Sequence, residues 1–103
     1  MSAALPSISG TESQVLDLLQ DGELFGLQLV EHSRGTLKRG SVYVILARME
    51  AKGFVSSRLE DRPPNSSGVP RRLYRATTYG LKVRDAYRML REALDLKPSE
   101  ARS

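Results

Sequence analysis

The stretch LKRGSVYVILARMEAKGFV, Leu37 to Val55, decides the fold. Val42, Ile45 with Leu46, and Met49, followed by Phe54, recur at the i, i+3/i+4, i+7 interval of a helix that turns one face to a core. The spacing predicts a helix from Arg39 to Lys52, ended by Gly53. Its other face carries Ser41, Val44, Arg48 and Lys52, and its entrance holds Lys38, Arg39 and Gly40. A helix N-terminus already offers free N–H groups and the positive end of the dipole, so this entrance suits phosphate. The flanking segments decide between a contact surface and a merely solvated helix end.

Upstream, TESQVLDLLQ predicts a first helix capped by Thr11 or Ser9, with Val15, Leu16, Leu18 and Leu19 at helical spacing. ELFGLQLVEHSRG predicts a second, with Leu24, Leu27 and Val30, and Phe25 and Leu29 beside them, on one broad apolar face. Gly26 costs this helix propensity, so close packing against a neighbour is expected there. Downstream, FVSSRLE and RRLYRAT read as short strands around DRPPNSSGVP, whose prolines, glycine and polar residues favour an exposed tip. Thr77 or Thr78 then caps a last helix with an apolar stripe through Tyr79, Val83, Ala86, Tyr87, Leu90, Ala93 and Leu94.

With 103 residues, 40% of them hydrophobic and 27% charged, the composition is that of one small globular domain. No apolar run reaches the roughly 18 residues of a membrane span. The start MSAALPSISG lacks the features of a signal peptide, so a cytoplasmic location is expected. The absence of cysteine and the single His32 argue against disulfides, thiol chemistry and a zinc site, and no cofactor or metal is expected. No nucleotide-binding loop or motif-placed carboxylate pair supports an enzyme. The net charge of +4 is unevenly spread: residues 1–33 hold no Lys or Arg, whereas residues 34–91 hold fourteen against four carboxylates. An excess built mainly of arginine fits a polyanion partner, because guanidinium groups match phosphate oxygens; a solvated basic surface is the competing reading.

Three helices followed by a hairpin with a long polar tip is the order of a winged helix-turn-helix, mainly α with a small β-hairpin. In such motifs the second helix of the pair enters the major groove of double-stranded DNA. Here that helix is the stretch quoted above. Lys38, Arg39 and Ser41 suit phosphate or base-edge contacts, Gly40 permits close approach, and Val44 suits a thymine methyl. Tyr43 either reaches a phosphate or packs between helix and wing, and Arg48 lies further along for phosphate contact or solvation. Arg58 and Arg62 flank the wing tip on one side and Arg71 and Arg72 on the other.

The ordered set Gly40, Ser41, Tyr43, Leu46, Met49, Glu50 and Gly53, then Arg72, Tyr74, Thr77 and Gly80 after the wing, resembles the PadR-like transcriptional regulators. Phe25 and Gly26 match more loosely, and the resemblance covers about residues 11 to 94. It implies a homodimeric repressor on an inverted-repeat operator, with the C-terminal helix as the dimer element and an effector of unassigned class near the dimer interface. Arg39 stands where the family often has proline, and Leu27 where a tyrosine is common.

These readings divide the chain into a DNA-binding domain over residues 9–77, a dimerisation helix over 78–96 and a flexible tail over 97–103. An amphipathic helix that follows a complete winged domain has little of it left to cover, which assigns Val83, Tyr87, Leu90 and Leu94 to a dimer contact. The competing function is a protein-interaction module that uses the same basic surface for an acidic partner.

Overall fold

Helix caps and one shared backbone carbonyl set the frame of the chain, whose computed structural model describes residues 5–65 and 67–94. Helix α1, Gly10–Leu19, opens on a capping box: the Glu12 amide donates to Ser9 Oγ (3.0 Å) and the Ser9 amide donates back to Glu12 Oε1 (2.9 Å). It buries Val15, Leu16 and Leu19.

The next elements differ from the sequence expectation. Leu24 and Phe25, placed by periodicity inside a helix, form a short strand β1, Leu24–Phe25, opposite Tyr74 and Leu73. Helix α2 is Gly26–His32, and the Gln28 side chain accepts from the Phe25 amide at 2.8 Å. Only Leu29 of the expected apolar face is fully buried. Beyond α2, buried Ser33 donates to the Val30 carbonyl (2.7 Å) and accepts from the amide of Leu37 (2.9 Å), which drops the Leu37 side chain into the core.

Helix α3, Val42–Ala51, starts three residues later than the predicted Arg39. The Lys38 carbonyl accepts from the amides of both Ser41 (3.1 Å) and Val42 (2.9 Å), so Lys38 to Ser41 form a turn rather than a first helical turn. Val42, Leu46 and Met49 face the core as the spacing predicts. At the far end Phe54 donates to the Met49 carbonyl (2.9 Å) and Gly53 to that of Glu50 (3.0 Å), with Gly53 at φ 81°, a left-handed C-terminal cap that glycine adopts without steric cost.

Strands β2, Val55–Leu59, and β3, Arg72–Ala76, pair antiparallel from Val55 opposite Ala76 to Leu59 opposite Arg72. With β1 they form a three-stranded sheet in the order β1–β3–β2, one strand more than the predicted hairpin. Tyr74 belongs to the core, and burial pushes its hydroxyl above the ordinary tyrosine value.

Helix α4, Thr78–Ala93, is capped by Thr77, whose hydroxyl accepts from the Gly80 amide (2.9 Å) and lies 2.6 Å from the Gly53 carbonyl. The first half of α4 is built into the winged domain, so the expected division after residue 77 cuts through one packed unit. Val83 joins the core and Arg84 is buried, where it donates to Asp17 (2.9 Å) and Gln20 (2.6 Å) on the α1 side and to Asp85 (2.8 Å). The tail over 97–103 lies outside the described residues. No described helix is long and apolar enough to cross a membrane.

Lys52 also departs from expectation. Its ammonium does not sit on the outward face of α3 but binds both Glu12 carboxylate oxygens (3.0 and 2.9 Å) and the Ser7 carbonyl (3.3 Å). Burial alone would raise the Glu12 carboxyl; the Ser9 amide and Lys52 outweigh it and hold it below the usual carboxylate value. Because the folded value is depressed, the stabilisation is present above the ordinary carboxylate pKa and is lost as pH falls through the folded one. Lys52→Met is therefore expected to cost about 1–3 kcal/mol near neutral pH. The gap between wild type and variant should narrow as pH falls through the carboxylate range, because protonating Glu12 removes what Lys52 stabilises, as read from urea midpoints measured against pH.

A Cβ at Gly80 would lie 2.3 Å from the Phe54 carbonyl oxygen. That neighbour is backbone and cannot swing aside, so Gly80→Ala is expected to lose stability at or above the upper end of the about 1–3 kcal/mol typical of overpacking, measured by equilibrium urea unfolding.

Candidate nucleic-acid interface

The Lys38–Ser41 turn and the outer surface of α3 present a continuous run of exposed residues: Lys38, Arg39, Gly40, Ser41, Tyr43, Val44 and Arg48. Val44 is 60% exposed, an aliphatic side chain with no core to enter, and Arg48 follows one turn later on the same side. Ser41 stands at the N-cap of α3 without bonding a helix amide; its hydroxyl lies 3.4 Å from the Lys38 carbonyl and is open to solvent. The Val42 amide is spent on the Lys38 carbonyl, and the amides of Tyr43 and Val44 have no side-chain cap.

For Tyr43, which sequence left either reaching a phosphate or packing between helix and wing, the structure places the ring body against α2. Its ring lies across Gly26, where an added Cβ would come 2.5 Å from Cε1, so the absence of a side chain on α2 is what lets the ring settle between the helices. The close packing expected at Gly26 is therefore present. With 49% of its surface still exposed, Tyr43 keeps a wet hydroxyl end as well as a packed body. The ring forms one wall of a concavity of about 520 Å³ between α2, α3 and the root of the wing, which Phe25, Pro70, Arg71 and Arg72 also line.

The wing cations divide into two groups. Arg58 is engaged by Glu23 through two hydrogen bonds (2.9 and 2.8 Å), and this contact lowers the Glu23 carboxyl and raises the guanidinium. Arg62 turns into the tip, where it pairs with Glu60 (3.1 Å) and donates to the Ser67 carbonyl (2.8 Å). Its guanidinium bridges the two sides of the tip, from Glu60 to the Ser67 and Val69 carbonyls. Arg71 and Arg72 remain outside such pairs: Arg71 stacks over the Phe25 ring at 4.7 Å, and Arg72 donates to Ser57 Oγ at 3.1 Å. Tyr43, Arg71 and Arg72 thus meet at one concavity, whereas Arg62, which sequence grouped with them, is committed to internal contacts.

Phe25, Glu50 and Ser57 support this surface and were not singled out as site residues from sequence. Phe25 carries Arg71, and Ser57 donates to Glu50 (2.8 Å) while accepting from Arg72. Cross-strand and helix-to-strand contacts of this kind leave no periodic signal.

Of the residues assigned to a dimer contact, Val83 is only 6% exposed and Tyr87 is half-buried, its hydroxyl donating to the Pro6 carbonyl at 2.6 Å. Leu90 and Leu94 are 55% and 56% exposed, and Met89 beside them is more so. An apolar groove of about 370 Å³ runs along this side of α4, lined by Leu5, Tyr79, Val83, Ala86, Tyr87 and Leu90 among others.

The sequence profile of the Transcriptional regulator PadR-like family matches residues 15–86. A comparison with curated protein sequences gives no match. Among solved structures, a PadR family transcription regulator from hypervirulent Clostridium difficile R20291 is similar in fold. It is 22% identical, with a TM-score of 0.70, over 84% of this chain and 92% of that one. A PadR family transcriptional regulator from Eggerthella lenta DSM 2243 is 25% identical, with a TM-score of 0.67, over 82% of this chain and 73% of that one. Bacillus subtilis PadR, solved in complex with operator DNA, is 18% identical with a TM-score of 0.68, over 79% of this chain and 48% of that one. The profile spans most of the chain, and the chain belongs to the PadR-like family of transcriptional regulators.

Proposed function

We propose that this regulator binds double-stranded DNA sequence-specifically, as a homodimer on an inverted-repeat operator, and acts as a repressor. One observation carries the reading: Lys38, Arg39, Arg48, Arg71 and Arg72 have no carboxylate partner among the described residues, and all lie on α3, the turn before it or the wing root. Lys52, Arg58, Arg62, Arg84 and Arg88 are paired with carboxylates, and of the unpaired cations it is Lys38, Arg39, Arg48, Arg71 and Arg72 that gather on one side of the winged domain. In this reading α3 enters the major groove, with Ser41 and Val44 nearest the base edges and Arg48 on a phosphate. Arg71, Arg72 and the Tyr43 hydroxyl hold backbone phosphate at the concavity beside the wing. The solved complex of Bacillus subtilis PadR with operator DNA supports this use of the fold.

Selection of duplexes from a random pool tests specificity and half-site symmetry together; recovery of no enriched, symmetric sequence would overturn the reading. On a selected duplex, Arg39→Ala and Arg71→Ala are each expected to flatten the slope of log affinity against log salt by about 0.9 per protomer. Arg58→Ala, whose cation is already spent on Glu23, should leave that slope unchanged in fluorescence anisotropy.

The homodimer is assigned to the distal half of α4, where Leu90 and Leu94 stand exposed beside the apolar groove. Replacing both by glutamate is expected to give a folded monomer by sedimentation at micromolar concentration, with unchanged helical circular dichroism and weakened operator binding. A wild-type chain that sedimented as a monomer under the same conditions would remove the dimer from the proposal.

A further inference from the structure

The side of α3 turned toward the wing carries Tyr43, Ala47 and Glu50 at i, i+4 and i+7. Tyr43 lines the concavity at the wing root, and Glu50, one helical face further along, meets β2: Ser57 Oγ donates to Glu50 Oε2 at 2.8 Å. The same oxygen accepts from Arg72 Nη1 at 3.1 Å. Ser57 and Arg72 are not opposite each other in the ladder, where Ser57 faces Tyr74 and Arg72 faces Leu59; the guanidinium reaches back along the hairpin to the hydroxyl. A hydroxyl has one proton to give, and here it is given to Glu50, which leaves a lone pair aimed at Arg72. The carboxylate therefore orients the hydroxyl, and the hydroxyl orients the guanidinium. The three residues lie on three different elements: the recognition helix, β2 and β3.

We propose that Glu50 and Ser57 are positioning residues for DNA binding, a relay that fixes Arg72 of the wing relative to α3 so that helix and wing engage one duplex in a single geometry. The inference rests on the DNA-binding reading above and adds a role for an acidic side chain on an otherwise cationic surface. A carboxylate beside a phosphate-binding face would by charge alone weaken binding, so its deletion should strengthen binding. The relay requires the opposite sign, because without Glu50 the Ser57 hydroxyl rotates freely and Arg72 loses its anchor.

The test uses the full chain and a duplex that the wild-type chain has selected from a random pool. Glu50→Ala and Ser57→Ala are each expected to raise the dissociation constant about three- to tenfold, the range of one hydrogen bond. Ser57→Thr, which keeps the hydroxyl on a strand-compatible side chain, should restore wild-type affinity. In an Arg72→Ala background both effects should vanish, since there is no longer a guanidinium to position. A Glu50→Ala variant that binds more tightly, or a Ser57→Ala effect that persists undiminished in the Arg72→Ala background, would overturn the relay. DNA-free NMR separates this outcome from failure of the functional reading. The Arg72 guanidinium should lose order in Ser57→Ala, and unchanged order would also overturn the relay whether or not a duplex is bound.

Discussion

The carbonyl of Phe54 is where the structure is tied together. It accepts from the Thr77 amide at 3.0 Å, and the backbone of Gly80 passes close enough that no side chain fits between them. Phe54 itself donates back to Met49, and its neighbour Val55 begins the β2–β3 ladder opposite Ala76. The end of α3, the start of β2, the end of β3 and the start of α4 therefore converge on two residues. The angle between α3 and the wing is set there, and so is the direction in which α4 leaves the domain. A change that loosened this joint would move the proposed DNA-binding surface and the helix proposed for the dimer together.

Charge is sorted around that frame. The acidic first third of the chain supplies the counter-ions for cations that come later: Glu12 for Lys52, Asp17 for Arg84 and Arg88, Glu23 for Arg58. Each pair stitches α1 or the segment before β1 to a later element. Among the described residues the cations without a carboxylate partner include Lys38, Arg39, Arg48, Arg71 and Arg72 on the turn before α3, α3 and the wing root, and also Arg34, Arg75, Lys82 and Arg91 elsewhere. The sequence asymmetry is thus partly structural, since Lys52, Arg58, Arg84 and Arg88 neutralise N-terminal carboxylates, while five of the unpaired cations gather at α3, the turn before it and the wing root.

This sorting also explains what could be read from sequence. The caps at Ser9 and Thr77, the stop at Gly53 and the buried stripe of Val42, Leu46 and Met49 depend on residues within one or two helical turns, and periodicity records them. Strand β1 does not exist locally: Leu24 and Phe25 are extended because Tyr74 and Leu73 pair with them, some fifty residues later. Lys52 was expected on the outer face of α3 because nothing nearby opposes that, yet its partner Glu12 is 40 residues earlier. For the candidate interface, the positions on α3 were legible as an exposed basic face. The separation of Arg71 and Arg72 from Arg58 and Arg62 was not, since it is decided by Glu23 and by carbonyls of the folded tip.

Gly26 and Gly80 are both glycines of close approach, but they meet different neighbours. Gly80 faces backbone, whereas the atoms nearest Gly26 are the far end of the Tyr43 ring. A methyl group at position 26 could be accommodated by swinging that ring toward solvent, at small thermodynamic cost, while dismantling the wall it forms beside Arg71 and Arg72. Residues 26 and 43 are in this sense coupled, since a side chain at the first displaces the ring at the second. A screen that scored only thermal stability would pass such a substitution as silent, although it falls on the hinge between fold and recognition.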